Sequence, residues 1–177
     1  VGLANYAFYK CDAMTSIKLP SSVKTIGRAA FYNCTGLAEV QLPDTIEVIE
    51  DYTFYRCTNL KLFNLPPLLK KIGRSAFYKC ASAAAIRDSD TDNDVFIIPA
   101  SVEEIGDYAF YGCTYEETVA ADVNRYGVDV LVIGDGVKTV GANAFYGFTS
   151  LKKVSLGNGI QTLGEKAFYK CVLLTEV

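Results

Sequence analysis

The chain has 177 residues, half of them hydrophobic and 21% charged, with a formal net charge of −3 at pH 7. It contains no histidine, which removes Ser–His and Cys–His nucleophile systems and the usual zinc sites. Lys and Arg are scattered rather than gathered into a basic stripe, and no apolar run is long enough to span a bilayer. This composition therefore favours neither an enzyme, a nucleic-acid partner nor a membrane span within this segment.

The first recognisable element along the chain is the word AFYKC at 7–11, which returns at 76–80 and 167–171. Its Phe belongs to a longer period, with successive gaps of 23, 23, 23, 33, 35 and 23 residues, and each Phe is followed by Tyr. A fixed period of this length is typical of a solenoid. The recurring residues are Phe8, Phe31, Phe54, Phe77, Phe110, Phe145 and Phe168.

Each period also contains a short alternating stretch, such as SIKLP, EVQLP or KVSLG. Alternation of apolar and polar residues predicts a half-buried strand, and Pro ends it because Pro lacks the N–H for a strand ladder. The apolar residues that follow are three or four apart, which predicts turns of loose or helical backbone. One unit alone buries too little apolar surface to fold. We therefore expect the units to stack and their strands to pair in parallel into one sheet.

Six cysteines stand three places after the Phe, and Phe148 takes that place in the sixth unit. A fixed position that accepts either Cys or Phe indicates a core slot, since free Cys behaves as a small hydrophobe. We predict free, buried thiols, although neighbouring layers would be close enough for a bridge. The tyrosines alternate with the buried Phe and are expected to lie partly exposed along one edge.

The full unit, L-x-x-I-x-L-P-x-x-V-x-x-I-G-x-x-A-F-Y-x-C, resembles the leucine-rich repeat of the BspA-like type. The segments GLAEVQLPDTIEVIEDYTFYRC and SLKKVSLGNGIQTLGEKAFYKC carry the resemblance most fully. It implies an α/β repeat solenoid: a right-handed, curved array with a concave parallel β-sheet, about seven 23-residue repeats, two with insertions. It also implies secreted or cell-surface proteins associated with adhesion to host proteins and other cells.

The sequence predicts one leucine-rich repeat domain over 1–177. Val1 and Val177 both fall inside a repeat, and solenoid ends need polar caps. We therefore expect this chain to be a segment of a longer array.

Two insertions, at 81–94 and 114–129, lengthen consecutive units by 10 and 12 residues. Both enter just before a predicted strand, and insertions of this kind map to loops on one face, often the binding face. The first carries Asp88, Asp90, Asp92 and Asp94 at calcium-loop spacing. Asn93 and Pro99 stand where the loop needs Gly and Glu, so we predict a solvated acidic loop, no metal and no cofactor.

The outward positions of the predicted strands change character along the array. They are polar in the outer units, as at Lys18 and Lys153, and apolar in the middle. An apolar cluster of this kind is either covered by the inserted loops or used by a partner. The candidate partner-binding residues are Leu62, Val95, Ile97, Val130 and Val132.

The glycine-rich segment GNGIQTLGEK is not a phosphate loop, because Glu165 stands where the essential Lys belongs. The sequence therefore predicts a non-catalytic module that binds a host or cell-surface protein, at an extracellular or cell-surface location. The alternative is a structural repeat protein that self-associates through the ends or sides of the solenoid.

Overall fold

The computed structural model describes residues 1–62, 65–80, 82–83, 86–88, 93–113 and 128–177. These residues form a solenoid of short strands and turns, which confirms the predicted leucine-rich repeat fold. The strands are β1 (Gly2–Leu3), β2 (Ser16–Lys18), β3 (Thr25–Ile26), β4 (Glu39–Gln41), β5 (Val48–Ile49), β6 (Lys61–Leu62), β7 (Lys71–Ile72), β8 (Ser82–Ala83), β9 (Ile86–Asp88), β10 (Asn93–Ile98), β11 (Glu104–Ile105), β12 (Val130–Ile133), β13 (Thr139–Val140), β14 (Lys153–Ser155) and β15 (Thr162–Leu163).

The strands predicted from the alternating stretches are β2, β4, β6, β10, β12 and β14, and we call them the first strands. Among the described residues they pair in three groups: β2 with β4, β6 with β8, and β14, β12, β10 and β9 in that order. Pairing is parallel except between β10 and β9. Within these ranges the first-strand sheet is thus interrupted twice: between β4 and β6, and where the first insertion enters.

A second sheet was not anticipated from the sequence. It contains seven parallel strands in the order β1-β3-β5-β7-β11-β13-β15, at positions predicted to be turns or helical backbone. Each strand is two residues long, and in the five inner strands the second residue is fully buried in the core: Ile26, Ile49, Ile72, Ile105 and Val140. A strand this short shows no alternation, so its pairing arises only when the next repeat is stacked beside it.

The segment around each Phe is a turn, and the described residues include no helix. Residues two before and two after the Phe have left-handed backbone, as at Ala29 (φ 53°) and Asn33 (φ 58°). Isolated left-handed residues are incompatible with a right-handed helix, which explains why the helical part of the α/β expectation is replaced by turns. The turn also bonds to its neighbour: the Phe31 N–H donates to the Thr53 carbonyl at 2.8 Å.

Phe and Cys columns fill the interior. The seven Phe rings stack in order with centroids 5.1–5.5 Å apart. All six cysteines are free; four are buried, and Cys11 and Cys171 are partly buried, as predicted. Each of the last five thiols donates to the carbonyl of the Phe in the preceding repeat, as Cys57 does to Phe31 at 3.0 Å. In six repeats the slot therefore holds a small apolar residue, which in five of them also donates to a neighbouring carbonyl, and Phe148 fills it in the remaining repeat.

Candidate protein-binding surface

The candidate surface is centred on β10 and β12, which pair in parallel over four residues each. Strand alternation turns Phe96 and Leu131 into the core, where both are buried. The residues between them point to the other face. Register places Val95 beside Val130 and Ile97 beside Val132, so four of the five predicted residues form one two-by-two cluster of aliphatic side chains.

Exposure within this valine–isoleucine cluster is uneven. Ile97 is 47% exposed, whereas its three neighbours are half-buried. On the side of β14, Val130 lies beside Lys153 and Val132 beside Ser155. The cluster is therefore an apolar patch with a polar border on that side, an arrangement typical of protein-interaction surfaces.

The first insertion extends the sheet beside the cluster. Its strand β9 pairs antiparallel with β10, with Ile86 opposite Val95. Because β9 lies within the sheet, it lengthens the surface rather than crossing it. Most of the second insertion, residues 114 to 127, lies outside the described residues, as do Asp90 and Asp92 of the acidic run.

Leu62, the fifth predicted residue, lies in β6. That strand pairs with β8, placing Leu62 beside Ala83, so the described pairing does not bring it into the sheet of β10 and β12. Only the backbone of Leu62 is described. The arrangement brings together Val95, Ile97, Val130 and Val132.

Charged groups anchor the start of these strands. The Asp129 carboxylate accepts a hydrogen bond from the Asp94 backbone N–H at 3.2 Å and pairs with the Lys152 ammonium at 2.9 Å. In return, the Asp129 N–H donates to the Asp94 carbonyl at 2.8 Å. These bonds fix the register of β10 and β12 and mark a charged end to the apolar cluster.

Among the described residues, no cluster of acidic or sulfur side chains is arranged to hold a metal ion. Within the same ranges, no helix is long and apolar enough to cross a bilayer. The chemistry available at the candidate surface is thus apolar contact framed by charges, which suits binding of a protein surface.

A row of basic side chains, which was not predicted from the sequence, accompanies the repeated tyrosines. We call these tyrosines the tyrosine column: Tyr9, Tyr32, Tyr55, Tyr78, Tyr111, Tyr146 and Tyr169. Neighbouring rings from Tyr9 to Tyr146 stack with centroids 4.3–5.1 Å apart. Tyr9 is 44% exposed, in line with the expected partial exposure. A hydrogen bond from Lys170 lowers the pKa of Tyr146, whereas burial raises the pKa of Tyr55. The sequence does contain a signal for this basic row, because the residue after each Tyr is basic in four of the seven repeats.

The comparisons with known proteins agree on the repeat. The sequence model described as BspA type leucine-rich repeat region matches in six copies, over residues 2–94, 89–128 and 123–177. No curated protein matches the chain.

Two crystal structures are similar. The leucine-rich repeat protein of T. pallidum, TpLRR, is 31% identical, with a TM-score of 0.78 over 99% of this chain and 72% of that one. A leucine-rich repeat protein from Bacteroides ovatus is 22% identical, with a TM-score of 0.53 over 99% of this chain and 70% of that one. At that identity the second likeness concerns the fold alone.

Proposed function

Because the chain belongs to the BspA-type leucine-rich repeat family, whose members are generally protein-binding, we propose that it is a non-catalytic adhesion module. It binds a protein partner through the face of β10 and β12, with the neighbouring insertions contributing. We place the module outside the cell or at its surface, the location that its family suggests.

The observation that carries this proposal is the exposure of Ile97 within an aliphatic cluster. An exposed isoleucine on its own is ordinary. Here Ile97 adjoins three valines of the same two strands, while the equivalent positions Lys18, Gln41 and Ser155 of other repeats are polar. Complete burial of an exposed isoleucine contributes about 1.5–3 kcal/mol, and Ile97, at 47% exposure, would gain roughly half of that under a partner. The outward strand positions thus change from polar to apolar at β10 and β12, where burial under a partner would stabilise a complex most.

The family's typical lack of catalysis supports the non-enzymatic assignment. The absence of histidine from the whole chain adds a chemical reason, since general base catalysis at neutral pH most often uses that side chain. The module would therefore act by recognition alone, with its specificity set by the cluster and its charged border.

The test is a binding screen on immobilised extracellular-matrix and serum glycoproteins. Ile97→Lys should weaken the strongest interaction at least tenfold, because a charge replaces a contact at the centre of the patch. The matched control is Gln41→Lys, which adds the same charge at the equivalent exposed position of β4 and should bind like the parent chain. Melting temperatures of both variants should stay close to that of the parent.

Equal loss of binding in both variants would point to net charge rather than the cluster, and unchanged binding of Ile97→Lys would refute the proposed site. Solution mass at rising concentration tests the alternative partner, a second copy of this chain. A dimer that Ile97→Lys dissociates would assign the cluster to self-association instead of adhesion.

A further inference from the structure

A second surface runs along the turns, at the residue two places after each Phe. We call these seven positions the turn column, and they form one row because the repeats stack in register. The column contains four cations, one Asn, two Gly and no acid, although the chain as a whole is acidic. Its members are Lys10, Asn33, Arg56, Lys79, Gly112, Gly147 and Lys170.

The backbone of the turn column makes these cations unexpected. All seven residues are left-handed, from φ 53° at Lys79 to φ 82° at Gly147. Gly and Asn adopt this region readily, whereas other L-residues are strained by about 1–2 kcal/mol. Gly112 and Asn33 show that the turn accepts the unstrained choices. Lys and Arg at the remaining positions therefore destabilise the fold relative to Gly. Left-handed residues also stand two places before each Phe, among them Ala29 and Ser75, so the turn column is distinguished by its charge rather than by its strain.

The cations of the turn column also differ from most of the other lysines in their partners. Seven lysines elsewhere pair with carboxylates at 4 Å or less: Lys24, Lys70, Lys71, Lys138, Lys152, Lys153 and Lys166.

Within the described part of the chain, none of the four column cations forms an ion pair, and all four are exposed. Three of them lie beside tyrosine rings instead. The ammonium groups of Lys10, Lys79 and Lys170 are 5.5–6.0 Å from a ring centroid. Their charge thus stays available to a ligand.

The tyrosine column next to these cations favours anions as well. Tyr55 and Tyr78 stack with centroids 4.7 Å apart and planes 12° apart, so their faces cover each other. What remains for a ligand is the ring edges, which carry the positive part of the aromatic quadrupole, together with the phenol hydroxyls, which donate hydrogen bonds. Cations, ring edges and hydroxyls all suit sulfate or carboxylate oxygens.

Two acids that precede the Phe of their repeats have a structural role in stacking the turns. The Asp51 carboxylate accepts the Arg74 N–H at 2.8 Å, and the Asp107 carboxylate accepts the Ala142 N–H at 2.8 Å. Both acids hold neighbouring repeats together. Within the described ranges, neither acid forms an ion pair with a cation of the turn column.

We propose that the turn column and the tyrosine column together bind an anionic polysaccharide, a chain bearing sulfate or carboxylate groups that lies along the axis of the repeats. Arg56 and Lys79, on consecutive repeats, form the centre of this site. Lys10 and Lys170 extend it towards the two ends of the array.

The geometry favours a polysaccharide over other polymers. Single-stranded nucleic acids stack their bases on aromatic faces, and the faces here are occupied by neighbouring rings. A peptide strand would need free backbone groups at a sheet edge, but the turns use theirs between repeats: the Arg56 N–H donates to the Tyr78 carbonyl at 2.7 Å. A sugar polymer requires only the anion and hydroxyl contacts that this surface supplies.

The test measures binding to immobilised heparin at low and high ionic strength, with neutral dextran, poly-glutamate and oligothymidylate as competitors. The variant is the double substitution Arg56→Asn with Lys79→Asn, which keeps a residue tolerant of left-handed backbone. We expect heparin affinity to fall about tenfold while the melting temperature stays equal or rises through relief of strain. The parent's binding should weaken with salt, because it rests on exposed charges.

The control is Lys18→Asn with Lys24→Asn, which removes the same charge outside the turn column and should retain heparin binding. The proposal would be overturned by an equal loss of heparin binding in the control or by unchanged binding in the Arg56→Asn, Lys79→Asn variant. A lowered melting temperature of the Arg56→Asn, Lys79→Asn variant would overturn it as well. Competition by poly-glutamate or oligothymidylate as effective as free heparin would overturn the assignment to a polysaccharide.

Discussion

The two sheets pass through the same repeats, but only one of them is continuous. The seven-stranded sheet runs across both insertions without losing register: Ile72 pairs with Ile105, and Ile105 with Val140. The first-strand sheet, in the described ranges, breaks between β4 and β6 and again where the first insertion adds β8 and β9. Both insertions enter between the Cys and the first strand, so the second sheet and the Phe column never meet them.

The difference indicates a division of labour along each repeat. The continuous side has a fully buried aliphatic column and stacked rings, which hold the array together. The interrupted side carries the exposed Ile97 and the inserted strand β9. A solenoid whose layers bond at several places tolerates insertions at one of them, because the others keep the repeats in register. The interrupted side is therefore free to vary for binding.

The largest contrast is expected from paired alanine substitutions on the two sides. Phe77→Ala removes a fully buried ring stacked on both neighbours and should lower the free energy of unfolding by about 3–5 kcal/mol. Ile97→Ala, on the interrupted side, should lower it by less than about 1 kcal/mol, because the side chain is half in water. Urea unfolding curves give both values. Similar decreases in the free energy of unfolding would mean that the two sides contribute equally to stability.

The next largest effect concerns pH and the thiols of the continuous side. A hydrogen bond with Cys34 and burial raise the pKa of Cys57, and burial raises the pKa of Cys80 well above its usual range. Stability from such neutral thiols is fully present below the unfolded pKa of about 8.5 and is lost as pH rises towards the folded pKa. The free energy of unfolding should therefore fall above pH ~8.5, by about 1.4 kcal/mol per pH unit for each thiol.

Denaturant titrations at several pH values measure that slope. Cys80→Ala should reduce the slope by one thiol's share, whereas Phe77→Ala should lower stability without changing it. A stability that stays flat from pH 8 to about 10 would contradict the account of the cysteine column.

The smallest effect comes from a column of alternating charges just before the strands of the seven-stranded sheet. Glu103 pairs with Lys138. It occupies the position that Lys70 occupies in the preceding repeat, and its N–H donates to the Lys70 carbonyl at 2.8 Å. A hydrogen bond and charge from Lys138 lower the pKa of Glu103. Glu103→Lys would place like charges on neighbouring repeats and should lower the melting temperature by a few degrees at low salt.

High salt should remove most of this difference, since the charges are exposed. Glu39→Lys on the first-strand side makes the same charge change and should have little effect. An equal drop in both variants would show that net charge, rather than the alternating column, is responsible.

Much of the fold was predictable because the same sequence pattern recurs in seven repeats. The Phe and Cys positions, the alternating strands and the parallel stacking all follow from period and polarity, and the structure places Phe54 and Cys57 in the core as expected. The candidate cluster was partly predictable for the same reason. Strand alternation gives the face of Val95 and Ile97, and the period aligns them with Val130 and Val132.

Other features could not be read from one repeat. Nothing in Thr25–Ile26 marks a strand, because two residues carry no alternation and their hydrogen bonds come from the neighbouring layers. The place of Leu62 was missed because the insertion supplies its own strand, β8, as the partner of β6. The turn column looks like scattered Lys and Arg until stacking aligns 23-residue periods into one row.

The sequence by itself thus determined the unit and its stacking, because a period that places the same apolar residues in every layer allows only one way to bury them all. Tertiary structure decided which backbone groups pair between layers. It also decided where an insertion diverts a strand and which exposed side chains become neighbours. Those outcomes depend on contacts between residues 23 or more positions apart, such as Ile49 and Ile72, and no local pattern encodes such contacts.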